Sequence, residues 1–322
     1  MLSRRDLLLG VAGAAVLATR TTAIRAAAAQ PKTPVRFEVP AGACDCHTHV
    51  FGDPRRFTFA AGRVYTPEPA SIAEMRSLHL ALHMERVVVV QPSVYGTDNA
   101  CTLDAVRQLG PRARAVAVID ERAPSSALDA MDTVGVRGIR LNLATAGQTD
   151  AGRARDRLLR SIEQLAGRKW HIQMYTAMVV IESIGDRIAE SPVPIVFDHF
   201  GGAQAASGTA QPGFDALLGL VRSGKAYVKI SGAYRSSNAA PDYADVAPLA
   251  KALIAANPQR ILWGSDWPHP DSSIVAGRKA TDIAPLLPID DGRVLNQLAV
   301  WAPDPAQRRT ILVDNPARLY GF

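Results

Sequence analysis

Eight short runs of β-branched and apolar residues recur along the chain, each separated from the next by a stretch with helical character. This alternation constrains the fold more than any other feature. The runs are "ACDCHTH" (43–49), "RVVVVQ" (86–91), "RAVAVI" (114–119), "VRGIRLN" (136–142), "HIQMYT" (171–176), "PIVFDHF" (194–200), "AYVKISG" (226–232) and "RILWGSDW" (260–267). Between them lie amphipathic segments such as "PASIAEMRSLHLALHM", "DRLLRSIEQLAGR" and "DYADVAPLAKALIAANP". Strands alternating with helices predict a parallel sheet. Eight such units over roughly 290 residues predict an α/β fold of the single-domain (β/α)8 barrel type, spanning residues 43–322. A doubly wound open sheet is the competitor, but no GxGxxG follows the first strand.

The polar residues favour the barrel. His47, His49, Gln91, Asn142, Tyr175, His199, Ser231 and Asp266 all fall at the C-terminal ends of their runs, the end at which barrel enzymes gather their chemistry. Within the first run, strict strand alternation puts Asp45, His47 and His49 on one face and Cys44, Cys46 and Thr48 on the other. The histidines then face the barrel interior and the cysteines pack outward under a helix, so the two sets do not share an ion. Three cysteines, Cys44, Cys46 and Cys101, leave at least one thiol unpaired, and residues two apart on a strand splay away from disulfide geometry.

Residues 1–29, "MLSRRDLLLGVAGAAVLATRTTAIRAAAA", read as a twin-arginine-type export signal: an Arg4-Arg5 pair, an apolar run and a closing alanine cluster. That reading implies a periplasmic protein, with residues 30–42 as a lead-in segment. The apolar run is too short for a permanent membrane span, which needs roughly 20 residues. The segment carries +3 of the chain's formal +6, leaving +3. No Lys/Arg run with interleaved aromatics suggests nucleic acid as a partner, whereas a small anionic substrate suits a mildly basic protein. The sequence sets no oligomeric state.

An HxH ending the first strand, a His ending the sixth and an Asp ending the eighth resemble the amidohydrolase superfamily. The segments "DCHTHVFG", "VVVQPSVYGTDN", "GVRGIRLN", "FDHFGG", "VKISGAYR", "WGSDWPHP" and "NPARLYGF" are similar to its lactone-hydrolysing branch, which includes 2-pyrone-4,6-dicarboxylate hydrolase and sugar-lactone hydrolases and isomerases. The resemblance implies catalytic roles for His47, His49, His199 and Asp266, and substrate contacts from Arg140, Ser93, Tyr175 and Arg235. Strand four ends in Asn142 and strand five in Tyr175-Thr176, so neither supplies the Lys or His of the binuclear members. The pyrone-dicarboxylate branch works without metal, and the expectation here is likewise no cofactor. The alternative is one zinc or manganese ion at His47, His49, His199 and Asp266.

Without metal, ester hydrolysis needs an activated water and a stabilised oxyanion. An ionised Asp266 would take the proton, and the imidazoles would donate to the carbonyl oxygen or carry positive charge. A lactone is activated enough for this. Arginine suits a carboxylate-bearing substrate because its planar fork grips carboxylates in pairs of hydrogen bonds. Three positions depart from the pyrone-dicarboxylate pattern. Ala146 and Gly202 stand where that branch has arginines, and Asp271 where it tends to have Asn, so a monocarboxylate or sugar-acid lactone fits better than the dicarboxylate.

The remaining histidines have blander readings. His79 and His83 read as a solvated helix face, His171 as structural at the far end of its strand, and His269 as a loop residue able to reach substrate. Arg140 could instead pair with a barrel carboxylate such as Asp45. Three functions follow: a metal-independent lactonase or lactone isomerase, a mononuclear metal hydrolase or decarboxylase, and a periplasmic binding protein that has lost catalysis.

Overall fold

A computed structural model describes residues 28–145, 147, 149–273 and 275–322. The segment expected to be an export signal, residues 1–29, lies outside the described residues apart from Ala28 and Ala29. All eight expected strands form: β1 Cys44–Thr48, β2 Arg86–Val90, β3 Ala113–Ala117, β4 Val136–Asn142, β5 His171–Tyr175, β6 Ile195–Phe197, β7 Ala226–Ser231 and β8 Ile261–Gly264. They pair in sequence order, every pair parallel. Backbone bonds from His49 N to Trp267 O (2.8 Å) and from Asp266 N to His47 O (2.8 Å) carry the first strand onto the chain after the last. The chain is therefore a (β/α)8 barrel.

The helices form where the sequence is amphipathic, as over Ile72–Leu82, Ala151–Gln164 and Ala247–Ala256. The first of these is started by Ser71 and Glu74, which cap each other's free N–H groups. Alternate strand residues such as Val87, Val89, Ile139, Ile172, Phe197, Val228 and Trp263 are buried in the layer shared with the helices. A separate inner cluster joins Val88, Val90, Val116, Val196, Tyr227 and Leu262, and Tyr320 of the last helix packs onto it and plugs the barrel floor. Each fully buried aliphatic side chain stabilises the fold by about 1.5–3 kcal/mol. An element that the strand pattern did not announce, a two-residue parallel pair between Thr66–Pro67 and Ile283–Ala284, ties the loops after β1 and β8.

One expectation from alternation is overturned. The register of β1 on β2 runs Cys44 to Arg86 and Asp45 to Val87, and then Thr48 to Val89. One extra residue is inserted, a β-bulge. Before the bulge the inward residues are Cys44 and Cys46; after it they are His47 and His49. Cys44 and Cys46 thus lie inside the barrel with Val88, Leu262 and Tyr320, not against the helices. Asp45 is the outward residue, reaching His79 on the first helix (3.3 Å). All three cysteines are free thiols and buried, and burial holds the Cys44 thiol well above its usual range. Cys44 and Cys46 remain packing residues, on the opposite face from the one expected.

Two histidine readings change as well. His79 is buried against Asp45 rather than solvated. His269 is wholly buried, its Nε2 2.9 Å from Asp291 Oδ2, and is not a free loop contact. His171 is buried at the floor beside Tyr320, as a structural residue would be. The lead-in segment is tied down too: Thr33 donates to Asp290 (2.7 Å) and Arg36 N to Asn296 (2.7 Å), and just before it Trp267 Nε1 donates to the carbonyl of Ala29 (3.1 Å).

Candidate active site

Asp266 is fully buried at the centre of the mouth. Its Oδ2 accepts from Arg235 Nε (2.5 Å) and the Tyr234 hydroxyl (2.7 Å). Its Oδ1 faces His47 Nε2 (3.5 Å), His49 Nε2 (3.5 Å) and His199 Nε2 (3.8 Å). Those separations are too long for good hydrogen bonds, and Asp266 Oδ1 and His47 Nε2 have no partner among the described residues. Four polar atoms therefore surround one small gap. The backbone is bent to bring them there: His199 and Asp266 both take positive φ, 48° and 66°, which non-glycine residues adopt at a cost.

Burial raises a carboxyl group, but the Arg235 guanidinium outweighs it and holds Asp266 well below the usual carboxylate range. Burial also keeps the imidazoles neutral. His47 is held well below its ordinary value, His49 below it, and His199 pushed down to about 4. These directions favour neutral imidazoles over positively charged ones near pH 7. His49 Nδ1 lies 2.8 Å from the Val90 carbonyl, which only accepts, so Nδ1 carries the proton and Nε2 presents a lone pair to the gap.

A second polar layer lies beneath. Asp198 Oδ1 is 3.2 Å from His47 Nδ1 and 3.6 Å from Lys229 Nζ, while its Oδ2 accepts from Arg140 Nε (3.1 Å) and Gln173 Nε2 (3.0 Å). Lys229, fully buried, donates to Gln173 Oε1 at 2.6 Å. Burial pulls this lysine below its ordinary value. Burial would raise Asp198, but His47, Lys229 and Arg140 hold it well below the usual range. The barrel carboxylate paired with Arg140 is thus Asp198, because Asp45 faces away. Asp198, Lys229, Gln173 and Tyr234 were not singled out from sequence. A charged residue inside an apolar strand, as in "VKISG" or "IVFDHF", was the available signal, since it is costly to bury without partners.

Above these layers a cavity of about 380 Å³ opens between Tyr175, Tyr234, Arg235, Ser272 and Leu287. It continues into a tighter recess lined by His49, Tyr65, Ser93, Arg140 and Asn142. The structure so brings together His47, His49, His199 and Asp266, with Arg140, Ser93, Tyr175 and Arg235 around the adjoining space. Gln91 stands apart: its side chain donates to Gly96 O and Asp98 O and accepts from Thr102, holding the loop after β2.

His47, His49 and Asp266 also form a donor set suited to one divalent ion such as zinc, and His47, Asp198 and His199 form a second. The orphaned Asp266 Oδ1 and His47 Nε2 fit that use. β4 and β5 end in Asn142 and Tyr175, so neither strand supplies the lysine or histidine that a bridged pair of ions would take from it.

The chain is 36% identical over 289 residues to 4-sulfomuconolactone hydrolase of Hydrogenophaga intermedia, covering 89% of this chain and 91% of the relative. It is 33% identical over 301 residues to 2-pyrone-4,6-dicarboxylate hydrolase of Comamonas testosteroni, covering 91% and 94%. A solved Pseudomonas putida structure described as a 2-pyrone-4,6-dicarboxylic acid hydrolase superposes with a TM-score of 0.70 at 30% identity, over 88% of this chain and 98% of the other. The family model for amidohydrolases matches residues 44–322. Within the described residues that is the whole barrel, and the chain belongs to the amidohydrolase family.

Proposed function

We propose that this protein hydrolyses a lactone that carries a carboxylate or is formed from a sugar acid. The observation that carries the reading is the arrangement of Asp266. One oxygen is fixed by Arg235 and Tyr234, and the other is left bare toward three neutral imidazoles at the edge of an arginine-lined cavity. Asp266 Oδ1 takes a proton from water, the water oxygen adds to the lactone carbonyl, and the ring C–O bond breaks with the proton passing to the departing oxygen. A carboxylate held low is a weak base, so the carbonyl must already be electrophilic, as a lactone's is and an amide's is not. His47, His49 and His199 line the same gap with their Nε2 atoms, and the lone pair on His49 Nε2 accepts a hydrogen bond from the attacking water and so orients it.

Arg140 spends its Nε on Asp198, Arg235 spends its Nε on Asp266 and its Nη1 on Ser272 (3.2 Å), and the remaining guanidinium N–H groups stand at the cavity wall. That suits one substrate carboxylate. A second anchor by an arginine at 202 is excluded here, because Gly202 has φ +83° and a Cβ would stand 2.7 Å from the Thr176 carbonyl oxygen. Asp271 adds no net repulsion, since Arg278 pairs with it at 2.7 Å.

The mononuclear metal reading rests on the bare donor set. A bound ion at His47, His49, His199 and Asp266 would acidify the water and polarise the carbonyl. The test is Asp266→Asn with metal analysis before and after chelation. Loss of 10²–10⁴-fold in kcat, about the contribution of general-base catalysis, in a folded protein whose activity survives chelation supports the metal-free reading. Near-normal turnover refutes Asp266 as the base, and release of a stoichiometric ion by the substitution assigns it as a ligand. Ring re-closure through another hydroxyl would make an isomerase of the same site, and product analysis separates the two. The Arg4-Arg5 segment supports export to the periplasm, which fractionation tests.

A further inference from the structure

We propose that Asp45 is a positioning residue that registers the two halves of the active site against each other, and that His79 holds it in place. The inference rests on His47, His49 and Asp266 being the catalytic groups. Those halves come from opposite ends of the barrel sequence, the end of β1 and the chain after β8. What joins them is Asp45, fully buried on the outer face of β1 and outside the cavity. Its Oδ1 accepts from two backbone N–H groups at once, His47 N at 3.1 Å and Ser265 N at 3.0 Å. Each is one residue or less from a catalytic side chain. His79 Nε2, on the first helix, lies 3.3 Å from the other oxygen, Oδ2.

The bulge explains why a side chain is needed there. The inserted residue puts two inward residues in succession and breaks the ladder between Asp45 and Thr48. The His47 amide is left to find an acceptor outside the strand pairing. Asp45 supplies it, and in doing so fixes how far His47 and His49 stand from Asp266. One carboxylate oxygen shared between the two strand ends sets their relative height, and the His47 carbonyl that receives Asp266 N then completes a closed ring of bonds. His79 spans from helix to strand and stops the carboxylate from rotating out of that double acceptance.

The test compares Asp45→Ala, Asp45→Asn and His79→Leu in the full chain, with kcat scaled to the folded fraction by circular dichroism. A displacement of about 1 Å at reacting groups costs on the order of 10²-fold in rate. Asp45→Ala is therefore expected to lower kcat roughly 100-fold while KM moves little, because the cavity walls are untouched. Asp45→Asn keeps an oxygen that accepts from both amides, and is expected to recover kcat to within a few-fold of the native enzyme. His79→Leu should fall between them. If Asp45→Ala fails to fold, the Asn and Leu variants still decide the matter. Native kcat per folded molecule in His79→Leu and Asp45→Ala, with only stability lowered, overturns the proposal. So does an Asn variant as inactive as the Ala one. Activity in Asp266→Asn would instead refute the catalytic assignment, leaving the two failures distinguishable.

Discussion

Replacing Gly232 by alanine perturbs the site without removing any functional group. Gly232 follows β7 with φ +56°, and a Cβ built there lies 2.9 Å from His199 Nδ1 and 3.0 Å from Asp266 Oδ2. Ordinary contact begins near 3.4 Å, so both side chains must yield by roughly half an ångström. If 1 Å of misplacement costs about 10²-fold, half of it costs on the order of tenfold. The left-handed backbone adds about 1–2 kcal/mol for a residue with a Cβ, which lowers Tm by roughly 1.5–3.5 °C in a chain of this size. The assay is initial-rate acid release from a carboxylate lactone, with Tm by calorimetry on the same samples. The expected result is kcat down about tenfold with KM within two- to threefold. A lowered Tm with native kcat would refute the claim that this position sets the spacing of His199 and Asp266. An unchanged Tm would refute the steric argument as a whole.

Arg140→Met should raise KM for anionic lactones by roughly 10–150-fold, the equivalent of a charge-assisted contact of about 1.5–3 kcal/mol, and leave neutral lactones little changed; equal losses would contradict carboxylate binding. His171, wholly buried at the floor, is pushed down to about 3, while the unfolded chain binds that proton below about 6.5. Its neutral form therefore contributes stability fully above the unfolded value, and the contribution is lost as pH falls toward the folded one, about 2 kcal/mol by pH 5. His171→Leu should flatten the fall in Tm between pH 7 and pH 5, and an unaltered slope would show that other groups cause it. The double variant Cys44→Ala, Cys46→Ala should keep turnover within a few-fold and lose stability instead, and native thiols should resist a disulfide-exchange reagent until the protein unfolds. Rapid labelling, or loss of activity in the folded variant, would contradict their place in a packed floor.

The barrel was legible because its strands are continuous apolar runs and their C-terminal ends carry the polar residues, a pattern that period-two reasoning and strand–helix alternation detect directly. His47, His49, His199 and Asp266 could be placed on one rim for the same reason. What alternation could not show was the bulge in β1. One inserted residue reverses the face of everything before it, and nothing in "ACDCHTH" announces where the insertion falls. That single slip misplaced Cys44, Cys46 and Asp45 together, and it hid the bond to His79, which on its own helix looked solvated. The layer of Asp198, Gln173 and Lys229 was concealed differently. Their neighbours on the strands read as core, and only three-dimensional closure shows that their charges compensate one another.

The closure of the barrel also orders events in time. Strand β1 meets its last partner through Thr48 and Trp267, and the residues near 29–36 wait for Trp267, Asp290 and Asn296. At about 5–20 residues per second of synthesis, the ribosome needs roughly 10–45 s to make the intervening chain. Throughout that interval the edge of β1 that will meet the chain after β8 has no partner, and such an edge is the kind that pairs with other chains. The strand that later carries half of the chemistry thus has one edge that waits for most of synthesis, and the active site cannot be complete until the chain past Asp266 has been made.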